Sequence, residues 1–176
     1  MNIFKAIIAA SIALASPATA ETWDLGQSAG WSIKMSQSTN GGLLCGMMSL
    51  SRRSGHIFNI SVYENGVYHL MITNNDSAVA NRDPFWSDVE LQITSPTMYE
   101  EWVLTDAEIE SSDNVATVYI NIGAHPKQRD FLQDFMQGAY IDLMAAKGSH
   151  ATWSLNGSAQ AVRLLDTCRQ RIMANV

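Results

Sequence analysis

Six carboxylates crowd one stretch of the chain: Glu100, Glu101, Asp106, Glu108, Glu110 and Asp113. Glycoside hydrolysis needs a pair of such groups, one as acid and one as base or nucleophile. Calcium also seeks clustered oxygen ligands. Neither chemistry is specified by this pattern. No spacing singles out a pair, no EF-hand register is present, and the glycine that sharpens such loops is missing. A solvated acidic face is the simpler reading, with a carboxylate-based hydrolase over residues 100–113 as its rival.

The other reactive side chains are more scattered. His56, His69, His125 and His150 stand singly, with no H-x-x-x-H or H-E-x-x-H spacing, so a zinc site would have to be assembled wholly by tertiary contacts. Gly157-Ser158-Ala159 invites comparison with a nucleophile turn, but no G-x-S-x-G is present. Ser158 reads instead as the N-cap of a closing helix. No metal or cofactor is expected. Residues 74–87 read as a polar loop ending in Asp83-Pro84-Phe85-Trp86, and Phe85 and Trp86 are the candidate partner-binding residues. Two adjacent large aromatics cannot both point inward from a regular strand, and an exposed one could anchor a protein partner or stack on a sugar.

The positioning elements follow from periodicity. Trp31–Met35 alternates apolar and polar, and Leu43–Leu50 reads as a second strand holding Cys45. Phe58–Glu64 and Val67–Thr73 flank Asn65-Gly66, the preferred signature of a type I′ hairpin. In the first arm Phe58, Ile60 and Val62 share a core face, while Asn59, Ser61 and Tyr63 face water. Asp88–Ile93, Val115–Ile122, Tyr140–Ala145 and Ala151–Leu155 are further strands, and Glu100–Leu104 is a short one followed by an acidic connection over 106–114. Phe131, Leu132, Phe135 and Met136 fall on one helical face between Lys127 and Gln137, with Gly138 as the stop. After Ser158, the spacing of Ala161, Leu164, Leu165, Cys168 and Ile172 makes a second amphipathic helix whose cysteine faces the core. These elements predict a mainly β chain, an antiparallel sandwich or barrel of about eight or nine strands with two short helices near the C-terminus.

Residues 1–20 predict a secretory signal peptide: Lys5, an apolar run over 6–15, and Ala18-Thr19-Ala20 as the cleavage signal. Residues 21–176 then form a single β-rich domain, located in the periplasm or secreted. The formal charge is −6, and one unit more negative without Lys5. That balance argues against nucleic acid or anionic lipid as a partner, since both need clustered Lys and Arg, and the one basic pair of note, Arg52-Arg53, reads as a solvated turn. No other segment is apolar and long enough to anchor the mature chain in a membrane. The only two cysteines, Cys45 and Cys168, form no C-x-x-C motif. In an exported protein they predict one structural disulfide, tying the last helix to the first strands.

Trp31-x-Ile33 leading to Cys45-x-Met47, then hairpins, a short helix ending at Gly138, and Ser154-Leu155-Asn156-Gly157-Ser158-Ala159-x-Ala161 form an ordered set. In that order the chain resembles the invasion-associated locus B family of proteobacterial periplasmic proteins, or a neighbouring secreted family. It departs from that pattern in lacking a cysteine soon after the first tryptophan and a mid-chain pair. It also has Ser158 where phenylalanine is usual, and it carries Cys168. The resemblance implies an extracytoplasmic β-sandwich without catalytic residues that serves envelope function or host interaction. The expectation is therefore a non-enzymatic binding protein acting on a protein or an envelope component.

Overall fold

The structure is a computed structural model and describes residues 21–37, 41–51, 54–74, 85–112, 115–124, 128–145 and 148–174. The signal-peptide segment, Arg52-Arg53, Asp113 and His125 lie outside the described residues, as do the side chains of Phe85, Trp86, Asp106, Glu110 and His150.

Ten strands are present among the described residues: β1 (Thr22–Ser28), β2 (Trp31–Gln37), β3 (Leu43–Leu50), β4 (Ile57–Tyr63), β5 (Tyr68–Asn74), β6 (Phe85–Ser95), β7 (Met98–Ser112), β8 (Val115–Asn121), β9 (Tyr140–Ala145) and β10 (Gly148–Ser154). The helices are α1 (Gln128–Gln137) and α2 (Ser158–Met173), with a 3-10 turn at Ile122–Ala124. Every pairing is antiparallel, in the order β1-β2-β3-β4-β5-β8-β7-β6-β9-β10. The end strands β1 and β10 do not pair, so the sheet is open and folds into a sandwich rather than a barrel.

The fold turns its corner within the long β6–β7 hairpin. Ser87 pairs with Ala107 and Val89 with Leu104, so the register shifts between them. Inward positions on β7 change parity there, from Trp102 and Leu104 to Ala107. Such irregularities bend a strand and let it pass from one layer to the other. On one side of the bend β7 pairs with β8, and on the other β6 pairs with β9. The expected acidic connection over 106–114 is thus corrected: through Ser112 it continues β7, its alternation hidden by the parity change.

The first layer buries the row Ile33–Met47–Ile60–Leu70–Ile120, aligned across five strands with none more than 2% exposed. The second buries Trp153–Ile141–Ile93. Helix α1 wedges between them. Phe135 lies 5.3 Å from the Trp31 ring and 5.6 Å from Phe58, while Phe131 lies 5.4 Å from Trp102. Gly138 ends this helix where a Cβ would sit 2.5 Å from Ile93 Cγ2 and 2.7 Å from Leu155 Cδ1. Only glycine fits there.

Helix α2 covers the inner face of the first strands, with Ala161, Val162, Leu165, Cys168 and Ile172 buried and Leu164 packed at the edge. Cys168 is bonded to Cys45 of β3, with Cα atoms 6.0 Å apart. Ser158 is not the N-cap. Gly157 holds that position with φ +82°, and the Ser158 hydroxyl instead donates to the Phe135 carbonyl at 3.0 Å. The serine therefore satisfies a carbonyl that the end of α1 would leave without an intrahelical partner. Ser158→Ala is expected to cost about 1–2 kcal/mol, because that carbonyl stays buried without the bond; urea melts of both proteins measure it.

The hairpin at Asn65-Gly66 forms with a different turn. Tyr63 donates to Val67 O at 3.3 Å and Gly66 donates to Tyr63 O at 2.8 Å, closing a three-residue loop in which only Gly66 has positive φ. Asn65 keeps negative φ because its Oδ1 accepts from Val67 N at 3.0 Å. The backbone of a two-residue type I′ turn occurs instead at Ala29-Gly30, with φ of +42° and +98°. Asn59 and Ser61, expected in water, are each only 8% exposed. They lie beside Gly46, which leaves a dent in the outer face that their side chains occupy.

Candidate functional site

An open sandwich leaves a seam where the β1–β2 turn and the end of β3 face β10. Here the seam holds a cleft of about 770 Å³. The β1–β2 turn contributes Ala29 and Gly30, the end of β3 contributes Ser49, Leu50 and Ser51, and β9–β10 contributes Tyr140, Thr152, Trp153 and Ser154. Asn156 completes the wall from the turn before α2. Each wall is fixed by a buried contact. The Trp153 indole donates to His56 O at 3.1 Å, pinning the second layer to the first. Ser51 donates its N–H to the same carbonyl at 2.8 Å and its side chain meets Ser54 Oγ at 2.9 Å. Gly157 seats the final turn on the first hairpin, where a Cβ would lie 2.7 Å from Ser28 Oγ and 2.8 Å from Ala29 Cβ. Ala29 holds positive φ without being glycine, a strained conformation of the kind that clusters at ligand sites.

The described lining residues are uncharged and rich in hydrogen-bonding groups. Ser49, Ser51, Thr152, Ser154 and Asn156 supply hydroxyls and an amide, and among the described lining residues there is no Asp, Glu, Lys, Arg or His. Leu50 and Tyr140 flank the opening and are 60% and 53% exposed. Thr152 donates to the Asp142 carboxylate just outside it. Such a site can orient a neutral polar ligand through donors and acceptors.

The residues singled out in the sequence fall elsewhere. Glu100 and Glu101 are exposed neighbours on β7 and therefore lie on opposite faces of it. Glu101 accepts from the Tyr99 hydroxyl at 2.5 Å, and that bond raises the phenol above its ordinary range. Phe85 and Trp86 open β6 rather than ending a loop, with backbones paired to Ile109 and Glu108. His56 is buried beside the cleft through its carbonyl. His69 sits half-buried on the outer face of β5, 5.0 Å from the Tyr63 ring. Among the described residues no group of three or more His, Cys, Asp or Glu side chains is placed to hold a metal ion, and no helix is long and apolar enough to cross a membrane.

Burial pushes the His69 imidazole below its ordinary value of 6.5. The unfolded chain then takes up this proton more readily than the folded one. Stability from this residue is complete above the unfolded value and declines as pH falls through it toward the folded one. His69→Gln is expected to flatten that part of the acid limb, as measured by urea midpoints at a series of pH values between about 5 and 7.

Compared with models of protein families, with curated proteins and with solved structures, the chain matches none of them. The reading of the site therefore rests on its own residues. Sequence reasoning missed the cleft because its lining comes from separate short segments, each an ordinary polar turn or strand end.

Proposed function

We propose that this chain is a non-enzymatic extracytoplasmic binding protein that engages a component of the cell envelope through the seam cleft. The observation that carries the reading is the lining: hydroxyls and an amide among its described residues, flanked by the exposed side chains of Leu50 and Tyr140. The buried Cys45–Cys168 bond supports an oxidising compartment, since such bonds persist outside the cytoplasm. The export-type segment over 1–20 supports the same location. The resemblance to the invasion-associated locus B family points the same way, toward envelope function.

Co-sedimentation of the oxidised protein with washed bacterial envelopes tests this. Wild-type protein is expected in the pellet, and Leu50→Arg, which crowds and charges the cleft mouth at an exposed position, is expected in the supernatant. Equal pelleting of both, or no pelleting of either, would overturn the assignment to the cleft.

A further inference from the structure

The outer face of the second layer carries a row that runs into the cleft. Ser154 of β10 pairs with Tyr140 of β9, Thr94 of β6 pairs with both Tyr140 and Tyr99 of β7, and all four share one face. Tyr140 and Tyr99 are 53% and 58% exposed. They are two strands apart, or about 10 Å at the usual strand spacing. Beside them runs a second row, Thr152–Asp142–Gln92–Glu101, made wholly of hydrogen-bonding side chains. Glu101 holds the Tyr99 hydroxyl, which restrains that ring. Glu90 adds a further carboxylate on the same face, and neither row contains a cation.

We infer that this platform binds a linear, β-linked, uncharged glycan that lies across the strands and continues past Ser154 into the cleft. The inference rests on the cleft being the binding site and names its ligand. The chemistry matches at each point. A pyranose ring has an apolar C–H face that packs on an aromatic ring and a rim of hydroxyls that need acceptors and donors. In a β-1,4 chain alternate sugars present the same face, and one sugar advances the chain by nearly one strand spacing. Sugars two apart then meet Tyr140 and Tyr99, and their hydroxyls donate to Asp142 and Glu101 and exchange bonds with Gln92. An α-linked chain coils away from such a flat row. The carboxylates repel anionic polymers, so nucleic acid and acidic lipid surfaces are disfavoured on this face.

The probe is a series of β-1,4-linked N-acetylglucosamine oligomers, dimer to hexamer, titrated by calorimetry, with maltohexaose as the α-linked control. Affinity is expected to rise about tenfold between dimer and tetramer, when the second tyrosine is reached. Tyr99→Ala and Tyr140→Ala are each expected to lower tetramer affinity by a similar factor, while Tyr99→Phe retains it. Both tyrosines are exposed, and an unchanged melting temperature verifies that the variants fold. No binding of the hexamer, affinity independent of length, or equal affinity for maltohexaose would overturn the inference. The envelope assay separates the two claims. Tyr140 lines the cleft as well, so Tyr99 carries the distinction: pelleting that is lost with Leu50→Arg but unaffected by Tyr99→Ala leaves the cleft as the site and sinks the glycan platform.

Discussion

Phe135→Ala is expected to destabilise the fold by about 3–5 kcal/mol, the range for truncating a fully buried phenylalanine. The side chain has no solvent exposure and is the meeting point of three elements. Its ring stacks on Phe58 at 5.6 Å, meets Trp31 edge-on at 5.3 Å and lies 6.2 Å from Phe131. Phe58 in turn contacts Trp153, whose indole pins the cleft wall to His56. Loss of the ring therefore leaves a cavity between the layers and loosens the seam. Equilibrium urea denaturation measures the cost. A loss below about 1 kcal/mol would mean that α1 does not wedge the layers apart as described.

Much of this architecture is legible in the sequence where a segment repeats its pattern for long enough. The run from Phe58 to Thr73 and the helix spacing through Ala161, Leu165 and Cys168 mark elements that the structure places in full. Strand β1 is missed because its position at the sheet edge leaves its residues exposed or half-buried and so without strong alternation. The bulge at Asp24/Gly26 further breaks its period. The turn types are exchanged for a physical reason as well. Asn65 can cap Val67 with its own side chain and so does not need positive φ, whereas Ala29 is held there by the packing of Gly157 against it.

The candidate site is less legible still. Tyr99 and Tyr140 are far apart in the chain and become neighbours across Thr94 only because β9 pairs with β6. No local pattern announces that pairing. The same holds for Ser158, whose local context reads as a cap while its actual partner, Phe135 O, lies on another helix. Properties set by one element's own period can be read from sequence. Those set by which elements meet cannot.

Removing the disulfide by the double substitution Cys45→Ala and Cys168→Ala is expected to cost as much as any single core truncation. The two residues are 123 apart in the chain. Closing a loop of that size restricts the unfolded state by about 5 kcal/mol in the chain-entropy model, an upper figure because residual structure in the unfolded chain reduces it. The effect extends to the site. Helix α2 begins directly after Asn156 and Gly157, which wall the cleft and seat the final turn on Ser28 and Ala29. Freed from β3, the helix keeps its apolar packing but loses the tie that limits its excursions, so the cleft wall loosens before the sandwich unfolds. Both cysteines are at most 1% exposed, so the native protein is expected to resist reductant and alkylation until denaturant is added. Mass spectrometry then shows two alkylated thiols only after combined denaturation and reduction. Hydrogen exchange on the double variant is expected to rise first in α2 and residues 154–157, and a uniform rise across all strands would show that the bond stabilises the fold without bracing the cleft.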